Sequence, residues 1–383
     1  MAAPQIKGDV VDTDQVLVEE KGCVRVLTLN RPRQLNALSS QMILKLLKLF
    51  TAYEKDPTAK LLIMKGKGRA FCAGSDVSAV THSITQGHWT NGANVFWNQY
   101  ILDYIIATYS KPQVSFLNGF VMGGGAGVSI HGRFRVATEK SVFAMPETAL
   151  GCFPDVGASY FLSRLRGYFG EYVGLTGTRL DGAEMLACGL ATHFVPSTRL
   201  DLLEESFVKL DSFDSFTVCR IIDQFSEHVL VRESSAYNRL DVIDRCFSKT
   251  TVEEILSAVE QEVVHWSSEW ILTAIELLKK ASPINLKVAL RSIREGQTQQ
   301  VGQCLVREYR MCCHILRKDF SKDFFEGCRA ILVDKDRNPK WEPSRLDQID
   351  DDMVDKYFSK VDDAGWEELK LPGGHDPNIL SKI

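Results

Sequence analysis

The stretch Asn118-Gly119-Phe120-Val121-Met122-Gly123-Gly124-Gly125-Ala126-Gly127 decides how the rest of the chain is read. Four of its glycines, 123, 124, 125 and 127, fall in five positions after a short apolar strand segment, Val114 to Leu117. Glycines so dense mean a backbone packed against something that leaves no room for side chains. No Gly-Lys-Ser/Thr follows, so this is not a phosphate P-loop. Gly123 and Gly125 fit a dinucleotide fingerprint, but Val128 stands where its last glycine belongs. Two readings remain: an anion site for a small developing charge, or close helix packing.

Working outward, Phe71-Cys72-Ala73-Gly74-Ser75-Asp76 is a second strand-to-helix turn of small residues, with Asp76 placed as a cap. Downstream, Met145-Pro146-Glu147 and Phe153-Pro154-Asp155-Val156-Gly157 put two carboxylates in apolar, proline-bounded segments. Buried carboxylates are costly unless paired or used, and across a turn these two can converge on one cavity. Singly, each reads as a helix-start or turn residue. His131 and His193 have no serine or cysteine nucleophile at a recognisable spacing and read as structural. Cys72 has no basic neighbour in sequence to activate it. No His/Cys/carboxylate group shows metal spacing, so no metal is expected.

Strand and helix segments alternate through about residue 200, which predicts an α/β core. Val16–Val18, Val24–Leu29, Lys60–Met64, Val114–Leu117, Phe134–Ala137 and Val142–Ala144 read as strands; Val24–Leu29 alternates as a half-buried strand does. Ser40–Tyr53 and Phe96–Tyr109 read as helices, with Ser40 as N-cap of the first. Beyond Leu200 the pattern is nearly all helical. The organisation expected is a tail at 1–15, a catalytic core at 16–210, a helical region at 211–345 and a tail at 346–383. Within it, 212–245 reads as an insertion or linker.

The 383 residues are 45% hydrophobic and 25% charged with a net charge of -4, the profile of a globular protein with no basic stripe for nucleic acid. Ten cysteines form no C-x-x-C pair and read as reduced thiols. No run approaches the roughly 20 apolar residues that span a bilayer, and residues 1–15 read as neither a signal nor a transit peptide. The ending Ser381-Lys382-Ile383 is close to the S-K-L address, an expectation of peroxisomal location with the cytoplasm as alternative.

Together these segments resemble the crotonase (enoyl-CoA hydratase/isomerase) superfamily, and within it the 3-hydroxyisobutyryl-CoA hydrolase branch. The resemblance runs in order through Asn30-Arg31-Pro32-Arg33-Gln34-Leu35-Asn36-Ala37-Leu38, Ala70 to Asp76, Met122 to Gly125, Arg135 to Lys140, Phe143 to Thr148, Phe153 to Gly157, Ala191 to Val195 and Asp323 to Ala330, covering roughly 16–345. It implies an α/β spiral of strand–strand–helix units with a helical C-terminal region over the coenzyme A site. It implies Ser75 and Gly124 as backbone donors to the thioester oxygen, and Arg33, Leu35, Ala37, Ala73 and Asp76 along the coenzyme A channel. Glu147 and Asp155 match the carboxylates of the hydrolase branch. The second glutamate of the hydratases falls at Gly127, and a substrate-contacting glutamate of the hydrolases falls at Gln99. The activity implied is hydrolysis of a 3-hydroxyacyl-CoA in valine breakdown, with coenzyme A as part of the substrate and no separate cofactor. The alternatives are an enoyl-CoA hydratase/isomerase or a non-catalytic acyl-CoA binder; a homo-oligomer is left open.

Overall fold

The computed structural model describes residues 14–265 and 268–373. Ser381-Lys382-Ile383 and residues 1–13 lie outside them. Ten strands form two sheets: β1 (Val16–Lys21), β2 (Val24–Leu29), β3 (Leu61–Gly66), β4 (Ala70–Cys72), β5 (Gln113–Leu117), β6 (Phe120–Met122), β7 (Phe134–Ala137), β8 (Val142–Ala144), β9 (Leu180–Asp181) and β10 (His193–Phe194). The larger sheet runs β1-β2-β3-β5-β7-β10 and the smaller β4-β6-β8-β9. All pairings are parallel except the β1–β2 hairpin and β8–β9. The pairs β3/β4, β5/β6 and β7/β8 each give one strand to each sheet. A helix follows each of the first two pairs: α2 (Val77–Gln86) and α3 (Trp89–Thr108) after β4, α4 (Gly124–Ile130) after β6. This is the strand–strand–helix spiral the resemblance implies.

Two local expectations are corrected. β2 is buried at all six positions rather than on one face. Helix α1 (Ser40–Lys55) packs on one side of the large sheet, while Val24, Val26, Leu61 and Ile63 meet Leu203, Phe207, Val218 and Ile222 on the other. Inside it, the Arg25 guanidinium donates to the Gly22 carbonyl at 2.7 Å and to the Thr58 hydroxyl at 2.7 Å. The N-cap of α1 is Ser39, whose hydroxyl accepts from the Met42 amide, not Ser40. The 212–245 segment contains the helices Ser215–Phe225 and Leu240–Phe247, separated by a short 3-10 turn.

α3 is buried nearly all round, including Asn98, Gln99 and Asp103, because the long helix Val301–Arg317 closes over it. Trp97 and Tyr100 of α3 meet Tyr309 edge-on, with ring centroids at 5.4 and 6.3 Å. The C-terminal helices thus share one hydrophobic core with the sheets, and α3 becomes the wall between the cavity and the outer helices. No helix among the described residues is long and apolar enough to cross a membrane.

Candidate active site

A cavity of about 280 Å³ opens between the two glycine turns and the C-terminal helices. Its lining includes Leu35, Ala37, Ala73, Ser75, Asp76, Gly123, Gly124, Glu147 and Asp155. Apolar side chains from the C-terminal region, including Cys312, Leu316 and Phe324, complete the wall. The candidate residues therefore converge, with two qualifications. Arg33 is exposed on a short turn and does not line the cavity. Gln99 stands immediately behind Ser75. Asp76 caps α2 through the Ala79 amide and pairs with Arg31 at 2.9 Å, so it also fixes the turn.

The glycines are explained one by one. Gly123 has φ +45, and a Cβ there would meet Glu147 Oε1 at 2.6 Å. The turn passes directly under the carboxylate. A Cβ on Gly124 would meet Ser75 Oγ at 2.3 Å, Gln99 Nε2 at 2.6 Å and the Ser75 amide nitrogen at 3.0 Å. Gly124 opens α4, so its amide has no intrahelical acceptor. Neither the Ser75 nor the Gly124 amide donates to a backbone carbonyl among the described residues. Two N–H groups thus stand side by side on the cavity floor. A Cβ on Gly127 would meet Val156 Cβ at 2.7 Å and the Asp103 carboxyl oxygens at 2.9 and 3.0 Å, so no glutamate fits there. Close approach accounts for the glycine run: polar groups crowd Gly123 and Gly124, the Cys72 carbonyl would meet a Cβ on Gly125 at 2.2 Å, and Val156 and Asp103 confine Gly127.

Glu147 begins a buried 3-10 turn, and its Oε2 has no hydrogen-bond partner. Burial holds its carboxyl well above the usual range, and the charge of Asp155 adds to the shift. Asp155 accepts from the Tyr100 hydroxyl at 2.5 Å. Burial pushes it up to about 6, and that hydrogen bond works against the rise. The charge of Asp155 thus bears on the titration of Glu147, so the two carboxyls are not independent. Gln99 is fully buried; its Oε1 accepts from Ser75 Oγ at 2.7 Å, while Nε2 has no partner. An orphaned buried donor costs about 1–3 kcal/mol, which a ligand acceptor would recover.

The strain at Val156 and the role of Glu308 had no signal in the sequence, whereas His131 and Cys72 behave as read there. Val156 next to Asp155 has φ +57, a strained conformation for a β-branched residue. His131 Nε2 lies 2.8 Å from the Val156 carbonyl, and burial pushes the imidazole down to about 4, so neutral His131 donates there. Glu308, from Val301–Arg317, accepts from the Gly157 amide at 2.6 Å, the Ser159 amide at 3.1 Å and the Ser159 hydroxyl at 2.5 Å. Two distant elements therefore clamp the Asp155 loop. Cys72 is buried, and desolvation pushes its thiol up to about 12, far from nucleophilic.

The sequence profile of the enoyl-CoA hydratase/isomerase family matches residues 24–358, and the chain belongs to that family. Among solved structures it is similar to a carnitinyl-CoA dehydratase from Mycobacterium thermoresistibile, with a TM-score of 0.84 and 34% identity over 94% of this chain and 100% of that one. It is 64% identical over 364 residues to 3-hydroxyisobutyryl-CoA hydrolase 1 of Arabidopsis thaliana, covering 95% of this chain and 96% of the relative. It is also 46% identical over 362 residues to the small ribosomal subunit protein mS47 of the same plant, covering 94% and 88%.

Proposed function

We propose that the protein is a coenzyme A thioester hydrolase acting on 3-hydroxyisobutyryl-CoA and releasing 3-hydroxyisobutyrate and coenzyme A, as in valine breakdown. The observation that carries the reading is the convergence of Glu147 and Asp155 on a floor of two free amides, with Gly127 too crowded to hold a second glutamate. Similarity to the hydrolase of Arabidopsis thaliana supports the same activity.

The acyl end occupies the cavity with its thioester oxygen at the Ser75 and Gly124 amides. That pair serves as an oxyanion hole, and one such donor is worth about 2.7–4 kcal/mol in the transition state. Glu147, as carboxylate, attacks the carbonyl carbon or takes a proton from the water that does. The carbon–sulfur bond breaks and coenzyme A leaves as a thiolate, which takes up the proton that water gives up through Glu147; where Glu147 itself attacked, water then cleaves the acyl–Glu147 anhydride, releasing the acid, restoring the carboxylate and supplying that proton. Gln99 Nε2 donates to the substrate hydroxyl once the Ser75 side chain in front of it turns aside. The segment Leu35 to Ala37 with Ala73 and Asp76 lines the entry of the pantetheine arm.

Thiol release from 3-hydroxyisobutyryl-CoA tests the reading, with Glu147→Gln as control. Equal release from both proteins would refute the site. Consumption of enoyl absorbance on a 2-enoyl-CoA would favour a hydratase instead. Tight acyl-CoA binding without turnover is the third outcome, and it would also refute the proposal.

A further inference from the structure

On the edge of the larger sheet, away from the acyl cavity, three ligand-type side chains meet. His193 begins β10; Cys219 and Asp223 lie four residues apart on one face of the helix Ser215–Phe225. His193 Nε2 is 3.5 Å from Cys219 Sγ and 3.4 Å from Asp223 Oδ1, and Cys219 Sγ is 3.9 Å from Asp223 Oδ2. Among the described residues this is the group of His, Cys, Asp and Glu whose ligand atoms converge within reach of one ion.

We propose that His193, Cys219 and Asp223 form a structural site for a zinc-like divalent cation. Bond lengths of about 2.3 Å to sulfur and about 2.0–2.2 Å to nitrogen and oxygen give tetrahedral edges of roughly 3.3–3.6 Å. The separations of His193 Nε2 from Cys219 Sγ and from Asp223 Oδ1 fall inside that range, while Cys219 approaches the other carboxylate oxygen, Oδ2, at 3.9 Å, and one ligand atom from each residue lies within 4.8 Å of the other two. The surroundings of His193 suit a ligand as well. Its Nδ1 is 2.8 Å from Thr192 Oγ1, a hydroxyl directed at the Arg135 carbonyl at 3.1 Å. Nδ1–H donating to that hydroxyl leaves Nε2 with its lone pair facing Cys219 and Asp223, the arrangement metal-bound histidines adopt. A Cys219 thiol donating to Nε2 would satisfy the imidazole but would leave the Asp223 carboxylate facing it without a bridging proton. A cation satisfies all three.

Binding releases the thiol proton of Cys219, and thiolate plus carboxylate then balance a dication. The nearby opposing charge is Arg135, whose guanidinium is committed to the carbonyls of Leu190, Gly132 and Gly189. Asp223 is 62% exposed at its side chain, so water completes the coordination. The cation ties the helix Ser215–Phe225 to β10, reinforcing the hydrogen bond from the Glu227 amide to the Phe194 carbonyl at 2.9 Å. It anchors the layer that covers the outer face of the sheet.

The test uses the full chain, stripped with a chelator and titrated with Co(II) and Zn(II). The expected result is one equivalent bound, with a thiolate-to-cobalt charge-transfer band and a rise in melting temperature with Zn(II). Cys219→Ala should fold, with an unchanged metal-free melting temperature and unchanged thioester hydrolysis, yet lose the band and the zinc-dependent rise; Asp223→Asn should bind at least about tenfold more weakly. A wild-type protein without the band, or a band retained in Cys219→Ala, overturns the proposal. If Cys219→Ala fails to fold, His193→Gln takes its place with the same readouts.

Discussion

At position 99 an amide stands buried against Ser75 and Gly124, with its Nε2 lacking a partner. Ser75 covers Gln99 in the cavity wall; with that side chain turned aside the donor meets the substrate hydroxyl, so Gln99→Leu should lower kcat/KM for 3-hydroxyisobutyryl-CoA about 5–150-fold, at about 1–3 kcal/mol for a hydroxyl left buried without its partner. Isobutyryl-CoA, which lacks the hydroxyl, should be hydrolysed almost equally by both proteins. An equal loss on the two substrates would deny the contact. The carboxylates make a second residue-scale prediction. Hydrolysis needs Glu147 ionised, and its carboxyl is held above the ordinary value by burial and by Asp155. Activity should therefore rise with pH along a limb above the usual carboxylate range. Asp155→Asn removes the like charge, so the limb of the residual activity should move to lower pH; an unmoved limb would show that the two groups are not coupled.

The Asp155 loop depends on elements far away in the chain. Glu308 gathers the Gly157 and Ser159 amides, and His131 holds the Val156 carbonyl of a strained residue. Glu308→Ala leaves those amides buried without acceptors, at about 1–3 kcal/mol each. The variant should lose about 2–6 kcal/mol of stability over the two amides, unfolding at lower denaturant, and lose activity through displacement of Asp155. Activity loss without destabilisation would contradict the clamp. This is also where legibility in the sequence ended. β7 and β8 have the bounds expected for them, and the glycine turns were visible because glycine density is a local signal. Tyr100 and Glu308 were not visible, because their partners lie 55 and about 150 residues away in the chain. Likewise Arg25 inside β2 reads as a solvent-facing residue until α1 and the outer helices are known to cover both faces.

At the scale of the molecule, the interior carries several carboxyls held above their ordinary values. Asp103 is fully buried, neither of its oxygens has a partner, and burial, then Asp155 and Glu308, raise it. Burial likewise brings Glu308 up to about 7 and Asp155 up to about 6. Each such group binds its proton more tightly folded than unfolded. Between the ordinary carboxylate value and the raised one the folded state holds more protons, so stability falls as pH rises through that window. Denaturant midpoints should therefore drop from pH 5 to pH 8. Asp103→Asn should stabilise the protein more at pH 8 than at pH 5, because the cost of keeping the buried carboxyl protonated grows with pH. A pH-independent effect would place the ionisation elsewhere. The molecule thus retains destabilising carboxyls around a site where proton transfer uses them.

The most direct test of the account is thiol release from 3-hydroxyisobutyryl-CoA by the wild-type protein and by folded Glu147→Gln. The account predicts turnover by the wild type and a loss of about 10²–10⁴-fold in the variant, with melting behaviour retained. Undiminished hydrolysis in Glu147→Gln, or none in the wild type, would contradict it.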